Sequence, residues 1–336
     1  WTRLSTRSTA LIATENENAS VTSDSDPKSY KEVTQRHDKD AWNQAIISEI
    51  TGLVKLKAFH LIRCKPEDRT VHNPKWVFNK KTDQHGNLER YKARLTIAAW
   101  NALQGLDYFE SYAPVVARDT IRMCFALAAL RKYHLRQFDT PLAYLNGNLD
   151  TPAYMKIPPG LHLVKHLLDK DSLALFESGD PNVICEVTKP LYGLPQSGKC
   201  WYDELSSKLA EIGFKPSTGD PALFIKRTDH GVVLILAYVD DLCAMASRVS
   251  DLDELEATMY KHWATKSFST PKWYLKMEIN CTPGRISMNQ TQYITKIIEQ
   301  FGMAQASPSP VPCIQTDFVS TDQDTPYTGD DYKSLL

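Results

Sequence analysis

Val232-Val233-Leu234-Ile235-Leu236-Ala237-Tyr238-Val239-Asp240-Asp241-Leu242-Cys243-Ala244-Met245-Ala246 is the stretch on which the reading of this chain turns. Two apolar, β-prone runs flank two adjacent carboxylates. That is the pattern of a strand, a tight turn and a returning strand, with Asp240 and Asp241 at the tip. A buried hairpin ending in paired negative charge is costly, because like charges held close resist joint ionisation. A bound cation offsets that cost, and adjacent Asp residues suit a hard divalent ion such as Mg²⁺. A solvent-exposed Asp-Asp turn fits the same residues, so the pair needs support from elsewhere in the chain.

At 336 residues the chain holds one large domain or two to three subdomains. The formal net charge is −1. That excludes a global basic signature, so a nucleic-acid site must come from local clusters of Lys and Arg. The seven cysteines (64, 124, 185, 200, 243, 281 and 313) are odd in number and never form a Cys-x-x-Cys pair. They read as reduced thiols in an intracellular setting and argue against a zinc site or a disulfide framework. No apolar run is long enough to span a bilayer and the N-terminus has no signal-peptide core, so no membrane partner is expected. The chain opens on Trp1 without Met and is expected to be a piece of something longer.

Residues 1–38 are rich in Ser, Thr, Asp, Glu and Asn, lack apolar periodicity and read as a disordered linker. A helix is expected from Asp40 as N-cap, with Trp42, Ala45, Ile46, Ile50 and Leu53 on one face. Residues 75–81 and 88–95, joined by a loop containing Gly86, read as a β-hairpin. Period-two alternation puts Arg90, Lys92 and Arg94 on one face of its second strand, with Tyr91, Ala93 and Leu95 on the other. Three cations side by side repel unless an anion joins them, so that face suits phosphate; a solvated basic face is the alternative.

A helix from near Asp119 turns Ile121, Cys124, Leu127 and Ala128 inward. The short strand after it should end by Thr140, because Pro141 cannot donate to a central ladder, and it delivers Asp139 to its end. Helix capping is the commoner use of such an Asp. Residues 191–199 form a turn-rich entry to a helix with Trp201, Leu205, Leu209 and Ile212 on one side. A helix over 251–262, a strand pair at 273–279 and 285–288, and a last helix with Tyr293, Ile297, Ile298 and Phe301 follow.

Taken in order, five motifs resemble the reverse transcriptase domain of Ty1/copia-type retrotransposon polyproteins. They are Lys75-Trp76-Val77-Phe78, Tyr91-Lys92-Ala93-Arg94-Leu95, Gly105-Leu106-Asp107-Tyr108, Leu191-Tyr192-Gly193-Leu194 with Gln196, and Tyr238-Val239-Asp240-Asp241. The resemblance runs from about Trp42 to Leu336. It implies an α+β, right-hand polymerase fold of fingers, palm and thumb, with an antiparallel palm sheet backed by helices. On that plan residues 39–130 are fingers-like and 131–265 the palm. Residues 266–304 are late palm strands and the start of the thumb or connection, and 305–336 an extended segment leading towards an RNase H domain that is missing here.

The implied activity is RNA-directed DNA polymerisation, an in-line phosphoryl transfer from dNTP to a primer 3′-hydroxyl. By resemblance, Asp139, Asp240 and Asp241 are the catalytic ligands of two Mg²⁺ ions, for which Mn²⁺ can substitute. Lys92, Arg94, Tyr144 and Gln196 are the dNTP-binding residues. The two cations grip the triphosphate, Tyr144 lies under the sugar and rejects a ribose 2′-hydroxyl, and Gln196 with Ser197 backs the nascent base pair. The implied partners are an RNA or DNA template with its primer, dNTPs, and the RNase H and integrase parts of a Pol polyprotein. The implied location is a cytoplasmic virus-like particle or the nucleus.

The chain departs from the family pattern in places. Thr96-Ile97-Ala98-Ala99-Trp100 lacks the Lys and Gly that usually follow Leu95, and Ser267-Phe268-Ser269 stands for Asp-Leu-Gly. Lys276 occupies the Gly of a Phe-Leu-Gly turn, and Gly198-Lys199 replaces Pro-Arg or Pro-Lys. A second reading follows: a degenerate retroelement remnant that binds nucleic acid through its Lys/Arg clusters without polymerising. A two-metal nuclease shares the carboxylate chemistry but leaves the basic hairpin and Tyr144 without a role.

Overall fold

The structure, a computed structural model, describes residues 25–64, 70–82, 87–282 and 284–307. Helix α1 (Tyr30–Thr34) is capped by Ser29 and buries Val33. The expectation of disorder up to residue 38 is thereby corrected for residues 25–38. Helix α2 (Lys39–Lys55) buries Trp42, Ile46, Ile50 and Leu53, whose spacing of three or four puts them on one face. Burying each is worth about 1.5–3 kcal/mol. The expected cap at Asp40 is also corrected. The preceding residue is Asp38, and its carboxylate is taken by Arg36 and the Trp42 indole N–H rather than by helix amides.

That apolar face lies on a five-stranded sheet begun by β1 (Phe59–Arg63), β2 (Val71–Thr82) and β3 (Leu88–Ala98). The β2–β3 hairpin pairs Val77 with Arg94 and Asn79 with Lys92, and inward Ala93, Leu95 and Ile97 enter the core with α2. The hairpin's Gly86 loop lies outside the described residues, as do residues 1–24 of the expected linker and 308–336 of the expected extended segment.

After helix α3 (Arg118–Arg131) and strand β4 (His134–Asp139) the chain returns to the first sheet. It adds β5 (Ala153–Met155) and, beyond helix α4 (Lys170–Ser178), β6 (Val183–Val187), giving the order β1-β6-β5-β2-β3. A division of the chain at residue 130 therefore does not separate the two sheets. The apolar side chains of β5 and β6 join the core of α2.

Helix α5 (Ser197–Glu211) leads into β7 (Lys215–Pro216), β8 (Leu223–Thr228), β9 (Gly231–Tyr238) and β10 (Asp241–Ala246). With α6 (Val249–His262) and β11 (Lys266–Phe268) they complete a six-stranded antiparallel sheet of order β11-β4-β10-β9-β8-β7. Alternation sends Phe138, Leu242, Ala244 and Ala246 to one face, against α5 and α6. Leu135, Cys243 and Met245 go to the other, against α3. A sheet covered on both faces explains why β9 and β10 read as continuous apolar runs.

The last sheet differs from expectation. The single strand expected over 273–279 is two, β12 (Trp273–Tyr274) and β13 (Met277–Thr282), which pair with each other before β14 (Arg285–Asn289). Leu275 and Lys276 form the loop between them at φ +50° and +63°. Tyr274 is fully buried, so packing under the sheet holds a turn that local preference opposes. Helix α7 (Thr291–Gln300) buries none of its residues among those described. No helix among the described residues is long and apolar enough to cross a membrane.

Candidate active site

Tyr238 pairs with Asp241 across β9 and β10, which leaves Val239-Asp240 as a two-residue loop. The tip is therefore Val239-Asp240, and Asp241 opens the returning strand. Val239 sits at φ +55°, unfavourable for a β-branched residue. Two bonds hold it there. The Trp201 indole N–H donates to the Val239 carbonyl at 2.7 Å, and the Thr140 amide donates to the Asp240 carbonyl at 3.0 Å. Strand β4 lies beside β10 with Asp139 directly opposite Asp241. Three carboxylates from two segments a hundred residues apart in sequence thus stand at the same end of the sheet.

Their electrostatics follow from that crowding. Burial, then the charge of Asp240, pushes the Asp139 carboxyl up, while Lys266, Lys92 and Arg90 oppose the shift. Lys266 is the register partner of Asp139 on β11. Burial pushes Asp241 up to about 6, with Asp240 and Asp139 adding to it. Opposing that rise, the Gln137 amide donates to Asp241 Oδ1 at 2.8 Å and the Leu275 backbone adds a hydrogen bond.

Asp240 stands between two clefts. The first, of about 350 Å³, has Asp139 and Asp240 on one wall and Arg90, Lys92 and Arg94 of β3 on another, with Lys266, Glu49 and Tyr192 at its margins. Burial, then the neighbouring Arg94, Lys81 and Arg90, pushes the Lys92 ammonium down. Added anionic charge would relieve that. The second cleft joins Asp240 and Asp241 to Arg118, Arg122, Tyr238, Leu275 and Lys276.

Tyr144 lies on a short 3₁₀ segment (Ala143–Asn146) just after Asp139, with its ring 4.7 Å from that of Tyr192. Burial and the Asp240 charge push its phenol up. Gln196 is not gathered into the first cleft. It lines a separate pocket with Phe109, Lys199 and Asp203, and its amide donates to the Asp107 carbonyl at 3.4 Å.

Sequence reasoning did not single out Glu49, Lys266, Gln137 or Tyr192 as site residues. Glu49 was within reach: it lies three residues after Ile46 and four before Leu53, on the flank of the buried face of α2. Its carboxylate accepts from the Leu95 amide at 3.1 Å, and burial pushes it up. Lys266 has no local signal, because only the pairing of β11 with β4 brings it to Asp139.

Among the described residues no three Asp, Glu, His or Cys side chains are gathered tightly enough to cage a metal. The donor chemistry nonetheless fits a hard divalent ion: every candidate donor is a carboxylate oxygen, and the raised Asp139 and Asp241 mark charge that a cation would relieve.

The sequence that builds this site has relatives among known proteins. The model of the reverse transcriptase (RNA-dependent DNA polymerase) family matches residues 56–315, and the chain belongs to that family. Its relatives identify it as a copia-type member. It is 31% identical over 293 residues to the Retrovirus-related Pol polyprotein from transposon RE1 of Arabidopsis thaliana, covering 87% of this chain and 19% of that protein. It is 28% identical over 295 residues to the Retrovirus-related Pol polyprotein from transposon TNT 1-94 of Nicotiana tabacum, with 87% and 21% covered. To the Transposon Ty1-ER2 Gag-Pol polyprotein of Saccharomyces cerevisiae it is 25% identical over 239 residues, with 68% and 12% covered. The chain thus spans about a fifth of the length of the plant relatives.

Proposed function

We propose that this chain is the RNA-directed DNA polymerase domain of a copia-type retrotransposon, extending a primer on an RNA or DNA template with dNTPs. The observation that carries the proposal is the first cleft, where Asp139 and Asp240 face Arg90, Lys92 and Arg94. In this reading the five-stranded sheet with α2 is the fingers, the six-stranded sheet the palm, and α7 the start of the thumb. Lys92 and Arg94 hold the triphosphate, Tyr144 limits the sugar, and Gln196 backs the base pair from the adjoining pocket. Asp139, Asp240 and Asp241 would hold two Mg²⁺ ions, or Mn²⁺, which when bound supply neutralisation of charge at the transferring phosphoryl group. The RNase H and integrase parts of a Pol polyprotein are the partners that go with it, and a virus-like particle or the nucleus is its location.

Primer extension by the purified chain, with an Asp240→Asn control, tests the proposal. Extension should vanish in the variant while the duplex is still retained on a filter. Extension that survives the change removes Asp240 from the metal site.

One observation favours the second reading, a remnant that binds a duplex without extending it. Lys276 stands at φ +63° where the family's turn has Gly, at the wall of the second cleft. Duplex retention by the unsubstituted chain with no incorporation would decide for it.

A further inference from the structure

Tyr192 lies at the junction of two functions that the proposed reading treats separately. The Arg94 guanidinium rests 3.9 Å from the centre of the Tyr192 ring. Tyr144 packs against the same ring, with centroids 4.7 Å apart and planes at 54°. Among the described residues the Arg94 side chain makes no hydrogen bond or ion pair, and the Tyr192 ring is the group its guanidinium rests on, with the Glu49 charge nearby. The backbone that carries the ring is fixed. The Tyr192 carbonyl accepts from the Ile97 amide at 2.8 Å, tying it to the strand that carries Arg94 three residues earlier. The next residue, Gly193, has φ +96°, and a Cβ there would run into the Ile97 carbonyl. Only glycine allows that close approach.

We propose that Tyr192 is a positioning residue that couples triphosphate binding to sugar discrimination, by holding Arg94 and Tyr144 against one ring. The proposal rests on the reading of Arg94 as a triphosphate ligand and Tyr144 as the sugar gate. A guanidinium stacked on a ring is fixed in plane as well as in place, and the ring it presses is the one that backs Tyr144. A purely structural Tyr192 would affect folding alone. A coupling Tyr192 makes a loss on the phosphate side appear as a loss of selectivity at the sugar.

Single-nucleotide incorporation of dCTP and CTP on an RNA template separates these cases for the unsubstituted chain, Tyr192→Phe and Tyr192→Leu. The Phe variant keeps the ring and should hold the dCTP-over-CTP preference within about twofold. The Leu variant should raise KM for dCTP about fivefold at little change in kcat, and lower the preference about three- to tenfold. An unchanged preference in a folded Leu variant overturns the proposal. If that variant melts below the assay temperature, Arg94→Lys reads the same coupling, because it keeps the charge and loses the planar face. The preference should then fall too, and a KM rise shared equally by both nucleotides overturns the proposal. Failure of the unsubstituted chain to extend counts against the polymerase reading instead. In that case the ratio of dCTP to CTP affinity, read by thermal stabilisation of the chain with bound duplex, replaces the kinetic preference. A ratio unmoved by Tyr192→Leu or Arg94→Lys overturns the coupling there.

Discussion

On one side of Asp240 the cleft wall is β3, where Arg90, Lys92 and Arg94 stand on a strand whose alternate residues Ala93 and Leu95 are sunk in the core with α2. On the other side the wall is the Leu275-Lys276 loop, with Arg118 and Arg122 of α3 beside it. The first wall holds its cations in place because strand pairing and burial fix the backbone beneath them. The second reaches its charge through a two-residue loop in left-handed backbone and two arginines near a helix start. Rigid placement suits a ligand whose phosphates must lie within an ångström of their target. A strained loop beside Arg118 and Arg122 suits a broader partner such as a duplex backbone, held mostly by charge.

The largest expected effect falls on the carboxylates: Asp240, which lines both clefts, and Asp139 beside it in the first. In the proposed two-metal reading Asp139→Asn or Asp240→Asn should reduce primer extension by at least about a thousandfold, since each removes a charged oxygen donor. Binding of the duplex in a filter assay should stay within about threefold. A comparable loss from substitutions on either wall would mean that the carboxylates are not special.

The walls should separate next. Lys92→Ala is expected to raise KM for dNTP by about 10- to 100-fold with duplex affinity unchanged. Arg122→Ala should leave that KM alone and lower the slope of log affinity against log salt by about one. Kinetics on one hand and a salt titration on the other check the pair. If either variant moves both readouts equally, the two clefts do not divide the work.

The contrast between walls is also a contrast in what the sequence discloses. Period-two alternation in 88–95 is a local signal, and it was enough to place Arg90, Lys92 and Arg94 on one face. The hairpin at 232–246 was legible for the same reason, apart from which two residues make its turn. Lys266 and Gln137 reach the carboxylates only through strand pairing across more than a hundred residues, which no local pattern encodes. The break at Leu275-Lys276 was hidden by a run, Trp273-Tyr274-Leu275-Lys276-Met277-Glu278-Ile279, that alternates well enough to pass for one strand. Burial of Tyr274 decides that turn, and burial is a property of the assembled fold.

A smaller effect tests the charge at the junction. The folded Asp241 carboxyl releases its proton at about 6 instead of 3.8. Between those values the native state holds a proton that the unfolded chain has lost, so stability from this group falls as pH rises and is fully lost above about 6. The metal-free protein should therefore be more stable at pH 5 than at pH 8, with Asp241 contributing about 1–3 kcal/mol of the difference. Asp241→Asn should raise the melting temperature at pH 8 and flatten its pH dependence, and Mg²⁺ should stabilise the unsubstituted chain more than the variant. A variant that melts lower at pH 8 would mean that the Gln137 and Leu275 bonds to the carboxylate outweigh its burial.

The smallest effect lies in the loop of the second wall. Val239 and Lys276 both occupy left-handed backbone without being glycine, yet replacing them should not give the same result. Val239 also packs against the core of α5 and α6, so Val239→Gly trades relieved strain for lost burial and should change stability little. Lys276 projects from its loop, with its ammonium 5.6 Å from the centre of the Tyr293 ring. Losing that contact costs about 0.5 kcal/mol, whereas releasing a non-glycine residue from φ +63° returns about 1–2 kcal/mol. Lys276→Gly should therefore raise the urea midpoint by an amount worth about 0.5–1.5 kcal/mol, with the slope unchanged. A lower midpoint would show that the contact with Tyr293 holds α7 against the loop more firmly than the backbone strain opposes it. The second wall would then be fixed by a side chain where the first is fixed by a sheet.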